Sequence, residues 1–142
     1  MDQSHKLLMS LADAANMGKD SVEMLENKTD DEKMLRELRH LAAQYEQSKT
    51  QVENRLRETG GKIKNKNPMA KAGVWMGIQM DTLTDQSNSH LADMLIQGTT
   101  MGVIDITKAK AACPEADAEA TRIADEFLKN ENESIETLKT YL

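Results

Sequence analysis

The chain has 142 residues, 39% of them hydrophobic and 30% charged, with a formal net charge of -6 and ten Met against one Trp, two Tyr and one Phe. Two Pro and seven Gly are too few for the turns of a sandwich or barrel, while Ala, Leu, Met, Glu and Lys dominate, so all-β classes are excluded and helix formers set the fold. The acidic balance repels phosphate backbones and the scarcity of aromatics removes stacking platforms, which excludes nucleic acid as a partner.

This length closes one core, so residues 1–142 read as a single helical-bundle domain. The first periodic segment covers about residues 4–27, where Leu8, Leu11, Ala15, Gly18, Val22 and Leu25 recur at three- and four-residue steps and form one helix face. Thr29, Asp30, Asp31 and Glu32 then supply cap oxygens and first-turn acids for a second helix over about 30–59. Its stripe is Met34, Leu38, Leu41, Tyr45, Ser48, Val52 and Leu56, and Gly60-Gly61 ends it, because glycine takes the left-handed cap conformation without steric cost.

Residues 62–68, KIKNKNP, read as a solvated basic loop. Residues 69–84 are weakly helical, with Trp75 as their anchor to the bundle. A third long helix, about 85–112, is apolar on more than one side and is expected to be buried on more than one side. Cys113-Pro114 breaks it, and a fourth helix over about 115–141 carries the stripe Ala116, Ala120, Ile123, Phe127, Glu131, Ser134, Leu138 and Tyr141. The connection over about 60–84 is too long for a bundle turn, where about two to eight residues are usual. A crossover containing a short helix would let the second and third helices run parallel; the rival reading merges 69–112 into one very long helix.

Gly18 followed by Val22-Glu23, the start Asp30-Asp31 with Met34-Leu35, the Gly60-Gly61 stop, the long connection with Trp75, Gly98, and Pro114 before the fourth helix together resemble the ferritin-like four-helix bundles. Within these the chain is similar to a bacterial group of uncharacterised function. The resemblance spans nearly the whole chain and implies an all-α fold with one long crossover between helices two and three. It does not transfer an activity.

Ferritin-like di-iron proteins place a Glu on each of two helices and Glu-x-x-His on each of the other two. The second helix here holds Glu37-Leu38-Arg39-His40; the fourth holds Glu131-Asn132-Glu133-Ser134, with Ser in place of His; the third offers no carboxylate near Gly98. Glu37, His40 and Glu131 are therefore the candidate metal ligands, with Asp20 or Glu23 as further possibilities. Counting levels from the turns sets Glu37 opposite Asp20 and Glu131 opposite residues 96–98, and a parallel second and third helix brings both levels into one layer. At about 100° per residue, however, Glu131 and Ser134 face inward, Glu37 lies off its stripe and His40 points to solvent or a partner. One inward carboxylate does not hold two irons, and Glu131 then needs a raised pKa or a donor, for which Ser134 is the nearest candidate. Asp105 falls on the third stripe and poses the same question.

Met17 and Met24 lie off the first stripe and suit self-association or coverage by the connection. Gly98 and Gly102 allow close helix approach. His5 and His90 are isolated, and no nucleophilic triad or phosphate loop is assembled. The sequence leans away from an enzyme. Its leading reading is a ferritin-like bundle with a degenerate or absent dimetal site, acting as a homo-oligomer or protein-partner module. The alternative is an iron-binding protein with a weak ferroxidase or storage role. No apolar run approaches the roughly 20 residues of a membrane span, the start MDQSHKLL lacks a leader pattern, and a single Cys forms no disulfide framework. The expected setting is the cytoplasm, with no membrane contact.

Overall fold

The computed structural model describes residues 2–61 and 83–142. Within them lie four helices and no strand: α1 (Gln3–Glu26), α2 (Glu32–Glu58), α3 (Asn88–Ala112) and α4 (Ala118–Lys139). Trp75, the basic run 62–68 and all but the last two residues of the expected short helix lie outside the described residues. Residues 83–87 are not helical and Ser87 caps α3, so a continuous helix over 69–112 is ruled out.

Each helix starts on a side-chain cap. Asp2, Asp31, Ser87 and Asp117 accept the backbone N–H of His5, Met34, His90 and Ala120, satisfying amides that have no partner inside the helix. The last of these moves the start of the fourth helix from the expected 115 to Ala118, because Asp117 caps the helix from outside instead of lying within its first turn. Gly60 is left-handed (φ 74°). The Gly61 N–H reaches the Leu56 carbonyl at 2.7 Å and the Gly60 N–H the Arg57 carbonyl at 3.2 Å, the paired bonds of a Schellman stop.

The helices pack as a four-cornered bundle. α1 lies against α2 and α3, α4 against α3 and α2, and α1 also touches α4 across the short diagonal, which leaves α2 and α3 at the far corners. Contacts at the ends fix the directions. The start of α1 meets the end of α2 through His5 and Thr59 and the start of α4 through Ser4 and Asp117, and only residues 113–117 separate the end of α3 from that start. Helices α2 and α3 therefore run the same way.

The core is aliphatic, with Leu7, Leu8, Leu11, Leu25, Met34, Leu38, Leu56, Leu91, Met94, Ile106 and Leu138 essentially inaccessible. The expected stripes of α2 and α4 are buried but for half-buried Ser48, Ala116 and Tyr141. On α3 the inward positions include Thr99 and Ile106, whereas Asp105 is exposed; its expected place in the core is corrected by a rotation of one residue on a helix that is apolar all round. Among the described residues no helix is long and apolar enough to cross a membrane.

Candidate functional site

Halfway along the bundle the core turns polar. Glu131 on α4 retains only 5% of its accessible surface, and the Tyr45 hydroxyl on α2 donates to its Oε2 at 3.0 Å. Burial pushes the Glu131 carboxyl up to about 8, against the smaller opposing pull of the Tyr45 hydrogen bond. At neutral pH it is predominantly the protonated acid. Burial together with the neighbouring Glu131 holds Tyr45 well above its ordinary value, and the Thr99 hydroxyl beside it works in the other direction. An uncharged acid and an uncharged phenol thus share one hydrogen bond in a low-dielectric interior, the inexpensive form of a buried polar pair.

Small residues make room for it. A Cβ on Gly18 of α1 would stand 2.5 Å from the Tyr45 ring, so only glycine lets that ring lie against the α1 backbone. A Cβ on Gly102 of α3 would stand 3.4 Å from Glu131 Oε2. The Tyr45 ring also meets Phe127, tilted at 47° with centroids 6.4 Å apart. Between α1 and α3, over this pair, is a cavity of about 210 Å³ whose lining includes Ala14 and Gly18 from one side, Gly98, Thr99 and Gly102 from the other, and Tyr45 and Glu131. Asp13 and Asp105 also line it, the latter at the surface.

The sequence-expected ligands are distributed differently. Glu37 is half-buried near Tyr141, whose hydroxyl it acts on electrostatically. His40 is exposed. Glu131 is level with Tyr45, eight residues beyond Glu37, or about 12 Å along α2 at 1.5 Å per residue. Among the described residues no group of three or more His, Cys, Asp or Glu is arranged to hold a metal ion, so the donor set expected of a di-iron layer does not assemble from Glu37, His40 and Glu131. Asp20 is half-buried and Glu23 exposed, the latter 3.7 Å from Lys19.

Ser134, the expected donor to Glu131, instead donates to the Asn130 carbonyl at 2.9 Å and to Gln44 Oε1 at 3.2 Å. Tyr45 takes that role, and its place on the α2 stripe, which reads simply as core, conceals its polar hydroxyl. The expected layer set Glu131 with residues 96–98, Glu37 and Asp20; the observed one sets it with Tyr45, Thr99 and Gly102. Long helical side chains lean towards the N-terminus of their helix, so the ring that fills a level starts about a turn further along the chain than a count of Cα levels suggests. The later start of α4 shifts its register against α3 in the same sense.

Comparison with family models, with curated proteins and with solved structures returned no match.

Proposed function

We propose that the chain is a ferritin-like bundle with a crossover between α2 and α3, whose dimetal layer is degenerate, and that it acts by binding a protein partner or its own copy rather than by catalysis. The observation that carries this is the composition of the central layer: one buried carboxyl, Glu131, which accepts a hydrogen bond from Tyr45 and whose pKa burial raises. A metal centre needs several deprotonated ligands converging on one point. The parallel course of α2 and α3 supports the ferritin-like topology. Exposed Met24 and Ile104, at 45% and 46% accessibility, supply adaptable apolar contacts for association, and a buried free thiol, Cys113, suits a reducing cytoplasm.

Iron(II) titration with elemental analysis and oxygen uptake tests the reading. The expected outcome is no stoichiometric iron, no iron-dependent oxygen consumption and no rise in melting temperature with iron, zinc or manganese. Stoichiometric iron that is lost in Glu131→Ala would overturn it in favour of a ferroxidase or storage role.

A further inference from the structure

The cavity over the Tyr45–Glu131 pair is larger than a packing defect. An apolar cavity of about 150 Å³ accommodates one benzene molecule, and this one measures about 210 Å³. Its described lining has a pronounced chemical polarity. Three carboxyl groups face it, Asp13 from α1, Asp105 from α3 and Glu131 from α4, and no Lys, Arg or His is among the described lining residues. The wall between them is made of small or apolar groups, including Ala14, Gly18 and Gly102. The described lining offers an anion no basic partner, and a metal ion finds no group of three ligands among the described residues. A purely apolar guest would leave the acid of Glu131 without a partner beyond Tyr45.

We propose that this cavity binds a small organic ammonium ion, its N–H donors directed to Glu131 and its apolar body laid along the glycine- and alanine-lined wall between α1 and α3. The proposal rests on the reading that Glu131 is not a metal ligand. Binding has a definite proton balance. The ammonium ion enters charged, Glu131 gives up its carboxyl proton to solvent, and the complex holds an ammonium–carboxylate pair with Tyr45 still donating to Oε2. Tyr45 keeps its own proton, since burial and Glu131 hold its pKa well above the ordinary value. Asp105, at the surface end of the lining, adds negative potential and favours the cation further.

The test is calorimetric titration of the chelator-treated, metal-free full chain with benzylammonium and with its neutral counterpart benzyl alcohol, at pH 7 in two buffers of different ionisation enthalpy. Benzylammonium should bind at least tenfold more tightly than the alcohol and release close to one proton. Its affinity should rise between pH 6 and pH 8. Glu131→Gln should lower ammonium affinity at least tenfold and leave the alcohol unchanged. Ala14→Leu, which fills the wall without touching the acid, should abolish binding of both and covers the case in which the first variant folds poorly. Equal affinity for the two probes, binding without proton release, an ammonium affinity indifferent to Glu131→Gln, or no binding of either probe at millimolar concentration would overturn the proposal. Because no metal is present in these titrations, such a result is distinct from the appearance of iron binding, which would overturn the metal-free reading instead.

Discussion

Glu131 holds its proton because the folded chain removes water from it without supplying a cation, and this has a consequence for stability. Its pKa rises from the ordinary 4.5 to about 8 on folding, so between those values the native state binds a proton that the unfolded chain has released. The contribution to stability is fully present below about pH 4.5, falls as pH rises towards 8, and is constant above. The wild type should lose on the order of 1.4 kcal/mol per pH unit across the middle of that window. In Glu131→Gln, which keeps an acceptor for Tyr45 but has no proton to lose, this component should vanish. Chemical denaturation at pH 5, 6, 7 and 8 reads it directly, and parallel slopes for the two proteins would show that Glu131 ionises freely. A second residue-scale effect is at Gly18. Alanine in a helix interior is favoured over glycine by about 1 kcal/mol, yet the new methyl would meet the Tyr45 ring at 2.5 Å, and the ring is held by Glu131 and Phe127. Overpacking of this kind costs about 1–3 kcal/mol, so Gly18→Ala should be net destabilising and should move Tyr45 absorbance or fluorescence. A more stable variant with an unchanged tyrosine signal would contradict the close approach.

The helices themselves were largely readable from the chain. Their stripes, the double-glycine stop after Glu58 and the acidic caps arise from contacts within four or five residues, which a sequence carries explicitly. Asp117 illustrates how local that information is. Its carboxyl accepts from the Ala120 N–H at 2.8 Å, and this bond, aided by Ser4 and Arg55, holds its pKa below the usual range. Asp117→Ala should cost about 1 kcal/mol at pH 7. The difference from wild type should shrink as pH falls through the carboxylate range, since a group with a lowered folded pKa loses its contribution on protonation. Thermal melts at pH 7 and pH 3 check both the size and the sign; an undiminished gap at pH 3 would point to a contribution other than the charged cap. What the periodicity resolved poorly is α3. With apolar residues on several sides, its wheel placed Asp105 inward, where the structure buries Ile106 and Thr99.

At the scale of the whole molecule, the arrangement of the four helices decides what Glu131 becomes. Antiparallel α1 and α2, antiparallel α3 and α4, and parallel α2 and α3 at opposite corners bring Tyr45, Glu131, Thr99, Gly18 and Gly102 to one level from four helices. None of those meetings is written in a short segment. The sequence by itself determined an acidic, Met-rich, all-helical chain, the positions of its helices and the fact that one carboxylate falls on an inward stripe, because periodicity and capping act over a few residues. Only the tertiary structure decided that this carboxyl is paired with Tyr45, separated from Glu37 and His40, and set beneath a cavity between α1 and α3. Helix register and side-chain lean are fixed by packing between residues far apart in the chain, 86 positions for Tyr45 and Glu131 and 113 for Ser4 and Asp117.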